Sequence, residues 1–151
     1  MFHDLKICYY GFVCYRHIMA LFEHYPILIP FIAILAAEVA KFSIDLFQHR
    51  SKRRFLNSGG MPSGHSAFVS SLVVVVASRE GIESTAFMIA SVLAIVVMYD
   101  AIHVRNEAGK HATLLNKKFS TELEESLGHT HWEVLAGALF GGVVAWGLLL
   151  L

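Results

Sequence analysis

Three short clusters hold most of the residues in this chain whose types and spacing could do chemistry. The first is Gly59-Gly60-Met61-Pro62-Ser63-Gly64-His65-Ser66, directly ahead of an apolar run. Glycine lets a backbone approach a ligand closely, proline stiffens the entry, and Ser63 is a natural helix N-cap. The free N–H groups of a first helical turn lie at the positive end of the helix dipole, so the Ser63–Gly64 turn suits an anion such as phosphate. His65, in the same turn, could give that anion a proton. The alternative is a capped turn that binds nothing.

The second cluster is Leu127-Gly128-His129-Thr130-His131-Trp132-Glu133-Val134. On a helix, His129 and Glu133 are i and i+4 and share one face. A carboxylate that accepts the Nδ1–H of an imidazole fixes its tautomer and leaves the Nε2 lone pair outward, as a histidine nucleophile requires. The same spacing also suits an ordinary His–Glu hydrogen bond at a helix start. The third cluster runs from Asp100 through Arg105 to Gly109. An ionisable Asp100 at the end of an apolar helix is costly without a partner or a function. Arg105 offers a planar fork to phosphate oxygens, or simply a partner to Asp100. Glu38 and Lys41, three apart in an apolar stretch, pose the same choice between a site and an ion pair.

Nine histidines raise the question of a metal. No H-x3-H pair and no cysteine partner occurs among His65, His103, His111, His129 and His131, and residues 129 and 131 cannot share a helix face. No metal and no cofactor is expected.

The elements that must position these clusters are apolar. Four stretches stand out, from about Tyr25 to Ala40, Ala67 to Ala77, Thr85 to Ile102 and Trp132 to Leu151. A membrane-crossing helix needs about 20 mostly apolar residues. The third and fourth stretches meet that length and the first is borderline. The second is short unless it begins at the Pro62-Ser63-Gly64-His65 turn. Val73 to Val76 would suit a buried strand, but no alternating segment elsewhere offers it a partner.

The expected fold is an all-α integral membrane helical bundle with four main transmembrane helices. An N-terminal interfacial or membrane-dipping helix is expected over residues 1–24, followed by a membrane-embedded domain over 25–151. Cys8 and Cys14 match no metal or redox spacing and read as apolar fillers.

Composition agrees. The 151 residues suit one domain, 56% are hydrophobic and 16% charged, and the formal net charge is +0; soluble domains carry about 25% charged residues. Mean hydropathy is +0.57. A disordered chain, a coiled coil and a basic nucleic-acid-binding domain are excluded, so no nucleic acid is expected as a partner. A soluble all-α domain is the remaining alternative.

With four crossings, the Lys41–Gly64 and His103–His131 connections fall on one face of the membrane. Lys41, Arg50, Lys52, Arg53, Arg54, Arg105, Lys110, Lys117 and Lys118 lie there, against Lys6, Arg16 and Arg79 on the other side. The positive-inside rule then makes the polar face cytoplasmic, in the cell or inner membrane.

The ordered set of clusters resembles the superfamily of type 2 phosphatidic acid phosphatases, which shares its fold with vanadium-dependent haloperoxidases. It is closest to the divergent branch of small membrane proteins with a G-G-M-P-S-x-H-S turn, a D-A-x-x-V-R-x-x-A-G segment and an L-G-H-x-x-x-E-V-x-x-G segment. The similarity runs from about Lys41 to Gly142. The resemblance implies a metal-independent phosphohydrolase acting on a lipid or isoprenoid phosphate. By analogy His129 attacks phosphorus, Glu133 orients it, and His65 protonates the leaving oxygen and then helps activate water. Ser63 and Gly64 would bind phosphate oxygens, assisted by Lys41, Arg50, Arg54 and Arg105, with Asp100 in support.

Departures from the pattern are specific. The superfamily's Lys seven residues before an Arg-Pro pair is absent as such, leaving Lys41 with Arg50, or Arg53 and Arg54, as substitutes. The Arg expected six residues before His129 falls on Leu123, so Arg105 would replace it. Glu133 stands for Asp, His103 for Gly and His131 for Pro. These changes keep open a scaffold that binds phospholipid, or serves structure, without turnover. Four helices enclose little interior, so a homodimer is also expected.

Overall fold

The structure is a computed structural model that describes residues 20–47 and 60–151. Most of the expected N-terminal segment, both cysteines, and Arg50, Arg53 and Arg54 lie outside the described residues; residues 20–24 are helical. The helices are α1 (Leu28–Phe47), α2 (Gly64–Glu80), α3 (Thr85–Ile102), α4 (Val104–Phe119) and α5 (His131–Leu150). No strand occurs among the described residues, and Val73 to Val76 are helical. The strand reading fails for want of a partner: a β-branched run still goes into a helix when no second strand can take its backbone groups.

Helix boundaries follow the capping residues. Ser63 caps α2, its side chain accepting the Ser66 N–H. Gly81, at φ 82°, receives the chain where α2 ends. Ser84 then caps α3, accepting the Phe87 N–H at 3.1 Å, so residues 81–84 make a tight reversal. At His103 the chain passes almost without interruption from α3 into α4. α4 stops at Ser120, which adopts a left-handed conformation (φ 50°).

Central to the bundle is α2, packed against α1, α3 and α5. Small residues line these seams: Ala33 and Ala37 on α1, Ala67 and Ser71 on α2, Ala90 and Ala94 on α3, and Gly137, Gly141 and Ala145 on α5. A Cβ on Gly141 would overlap the carbonyl of Ala67, so the α2 and α5 backbones nearly touch there. Large apolar side chains point outward, among them Phe31, Leu35, Val39, Ile89, Val92, Ile95, Leu139, Val143 and Trp146. Small inside and bulky outside is the reverse of a water-soluble core and is how helices pack when lipid is the solvent.

Two helical runs, Thr85–Phe119 and His131–Leu150, are long and apolar enough to cross a membrane, with most of each facing outward. The other two bundle helices fall short among the described residues for identifiable reasons. α1 carries Glu38, Lys41 and Asp45, and α2 is 17 residues long. α1 and α3 end, and α2 and α5 begin, at the same end of the bundle, where the three chemical clusters meet.

Candidate functional site

The Ser63 turn is clamped from two sides. Its N–H donates to the Glu133 carbonyl at 3.1 Å, and its Oγ accepts from the Ser66 hydroxyl at 3.0 Å. Gly137 of α5 lies against its backbone with no room for a side chain, and Ser63 is 0% exposed. From α1, the Lys41 stem crosses Gly60, whose φ of +111° only glycine tolerates well, and Glu38 presses on Gly64. Lys41 Nζ and Glu38 Oε2 pair at 2.6 Å. The lysine is buried to 8% exposure, and a buried ammonium needs such a partner. His65 points away from this packing and is exposed.

The start of α5 differs from the helical reading of His129 and Glu133. Thr130 is the N-cap: it accepts the Glu133 N–H at 3.3 Å, while Glu133 Oε2 accepts the Thr130 N–H at 2.8 Å. This capping box satisfies two orphan N–H groups at once, so the helix begins at His131 and leaves His129 outside. The Glu133 carboxylate is occupied by the cap, and the expected hydrogen bond to the His129 Nδ1 is not formed.

His129 itself donates its backbone N–H to the Ala101 carbonyl at 2.9 Å. Its ring is buried (5% exposed), and neither ring nitrogen has a hydrogen-bond partner among the described residues. Burial pushes its pKa below the usual imidazole range; the Glu133 charge opposes this, and Lys41, His65 and Arg105 reinforce it. The ring is therefore neutral at pH 7, with a lone pair on one nitrogen.

Arg105 Nε and Asp100 Oδ2 pair at 2.8 Å across the α3–α4 junction, both partly exposed. Arg105, Asp100, Glu38 and Lys41 all lie within electrostatic reach of His65. Leu123, where the superfamily pattern has arginine, is instead held on α4 by Asn116. Two departures from the branch pattern meet each other: the His103 ring stacks on Tyr99 at 4.1 Å and stands edge-on to His131 at 6.2 Å.

Lys41, Ser63, Gly64, His65, Asp100, Arg105, His129 and Glu133 are thus gathered at one end of the bundle, while Arg50 and Arg54 lie outside the described residues. Among the described residues no three His, Cys, Asp or Glu side chains are grouped to hold a metal ion. Three features were missed in the sequence: helix α4, which lies within the polar His103–His131 connection, the cap at the start of α5, and the hold of Asn116. The Thr130–Glu133 box carries the T-x-x-E signature that announces it. The hold of Asn116 on residues 121–125 has no local signature.

An all-helical bundle with its bulky apolar side chains outward, and with the Ser63 turn and the buried His129 imidazole at one end, is the architecture of a membrane protein. The profile of the Divergent PAP2 family matches residues 22–144, and the chain belongs to that family. It is 35% identical to the uncharacterized membrane protein YuiD of Bacillus subtilis (strain 168), over 82% of this chain and 92% of that protein. No solved structure matches it.

Proposed function

We propose that the chain is a membrane phosphohydrolase that removes phosphate from a lipid or isoprenoid phosphate through a phosphohistidine at His129. The observation that carries the reading is the His129 ring: buried, neutral, and unpartnered at both nitrogens, within reach of Lys41, Arg105 and His65. A buried polar group without a partner is costly, and an incoming ligand is one way to satisfy it.

In this reading the unprotonated ring nitrogen attacks phosphorus and the bond to the leaving oxygen breaks. His65 gives that oxygen its proton. Water then attacks the phosphohistidine, His65 takes the water's proton, and the P–N bond breaks to release phosphate. Positioning and fixed positive potential are what phosphoryl transfer chiefly needs. The N-termini of α2 and α5, the Ser63 hydroxyl, the Gly64 N–H, Lys41 and Arg105 supply both, with Asp100 holding Arg105 in place. Arg50 and Arg54 are further candidates for the phosphate oxygens. Glu133 acts through its charge and through the cap that sets where α5 starts. α1 and α2 complete a four-span bundle with the site on the cytoplasmic face, in which two copies could pair.

The test is phosphate release from a panel of lipid and isoprenoid phosphates by purified protein. Activity sensitive to vanadate, indifferent to EDTA and lowered on the order of 10³-fold or more in His129→Ala supports the reading. Unchanged activity in His129→Ala sinks it. The second reading, a phospholipid-binding scaffold without turnover, is favoured by the carboxylates already paired with the two described candidate phosphate-binding cations, Glu38 with Lys41 and Asp100 with Arg105. It predicts lipid-phosphate binding with no release.

A further inference from the structure

Residues 120–130 have little regular structure, yet they are fixed along one face of α4. The Asn116 amide donates to the Leu123 carbonyl at 2.8 Å and to Glu125 Oε1 at 2.7 Å. Its Oδ1 accepts the Leu123 N–H at 2.9 Å and the Thr121 hydroxyl at 2.7 Å. One side chain thus takes both backbone groups of Leu123 and sets its register, as a neighbouring strand would.

One turn earlier, Thr113 Oγ1 donates to Glu125 Oε2 at 2.9 Å. Next comes Gly109, where a Cβ would stand 2.7 Å from the Glu125 carbonyl oxygen and 3.2 Å from that of Leu127. At the near end Gly128, at φ +92°, fits against the backbone of Asn106. Residues 106, 109, 113 and 116 share one helix face by their spacing. The segment leaves that face at Gly128, and the next residue is His129, tied to the Ala101 carbonyl.

We propose that this strap is the positioning device of the site, and that Asn116 is a positioning residue for His129. By fixing the register of residues 121–125, Asn116 sets how much chain remains to reach Ala101, and so where the imidazole arrives and that it stays buried. Asn116 touches no substrate; along α4 it stands roughly 20 Å from His103 at the usual helical rise. The proposal rests on His129 being the reacting group, and its test separates the two ideas.

The experiment uses the full chain in lipid nanodiscs and reads two quantities. The first is the rate of diethyl pyrocarbonate modification of His129, located by peptide mass spectrometry, with exposed His131 as an internal reference. The second is kcat and KM for phosphate release. Asn116→Ala is expected to speed His129 modification about tenfold relative to His131, as loss of several modest hydrogen bonds implies. Its kcat falls by a similar factor while KM moves less than about twofold. Thr113→Val, which removes only the Glu125 bond from the strap's side, gives a few-fold change and decides the matter if Asn116→Ala fails to fold. Lys110→Gln breaks only an exposed pair with Glu107 on the same helix and leaves both readouts unchanged.

His129 reactivity as slow in Asn116→Ala as in wild type overturns the proposal, whatever the activity does. If wild type releases no phosphate, the phosphatase reading falls, and the modification rates alone still decide the positioning.

Discussion

The two halves of the site are held by opposite physical means. Ser63 is placed by shape: Gly137 and Gly141 let α5 close on Ser63 and Ala67 until backbone meets backbone. His129 is placed by polar bonds: a strap in the exposed part of the molecule is pinned by Asn116, Thr113 and Glu125 to a helix that stands at the edge of the bundle. Inside lipid, burial of large side chains gives helices no advantage over leaving them against acyl chains, so close van der Waals packing of small residues does the work. Outside it, water competes for every hydrogen bond, and each contributes little alone. The seam should therefore be strong and unforgiving, and the strap weak singly but cooperative.

The sharpest way to break this contrast is Gly141→Leu. Its side chain has no space against the Ala67 backbone, and overpacking of this kind is expected to cost roughly 3 kcal/mol. The thermal midpoint in detergent should fall by several degrees, with any phosphatase activity lost because Ser63 moves too. A Gly141→Leu protein that melts like wild type would show that the seam is not close-packed. Asn116→Ala, in contrast, should lower the midpoint less than Gly141→Leu does while exposing His129.

A smaller effect is expected where the two halves join. Thr130→Ala removes one side of the capping box and should lower stability by about 1 kcal/mol, read from the same melting curves. The Glu133 carboxylate keeps its bond to the Thr130 backbone N–H, so the pH profile of any activity should stay close to wild type while the seam stays intact.

The smallest is a pH dependence carried by His129. Its pKa in the folded protein lies below the unfolded value, so the unfolded chain binds more protons in the window between the two. The stability contribution is complete above the ordinary imidazole range and is lost as pH falls through it toward the lowered folded value. Melting between pH 8 and pH 5 should show this loss in wild type and less of it in His129→Gln. Equal pH dependence in both would mean that the ring is not held neutral by burial.

Much of this was legible in the sequence because it is local. The four apolar runs predicted α1, α2, α3 and α5, and Ser63 announced the start of α2; α4 lies in what reads as a polar connection and was not foreseen. The start of α5 was misread because an i, i+4 pattern at 129 and 133 competes with a capping box at 130 and 133. The box wins because it satisfies two backbone donors that the helix cannot. Gly137 and Gly141 carry the small-xxx-small spacing of a close crossing, but nothing local names α2 as the partner. Asn116 was invisible for a stronger reason: its role depends on a loop folding back by seven to nine residues, which no periodicity encodes.

One consequence follows from the clamping of Ser63. The Ser63 turn is gripped by the last helix through Gly137 and the Glu133 carbonyl and is set without any ligand. On the proposed reading, little ordering entropy is left for the protein to lose at that wall, so discrimination among phosphate esters there becomes a matter of fit and charge and does not depend on rearrangement.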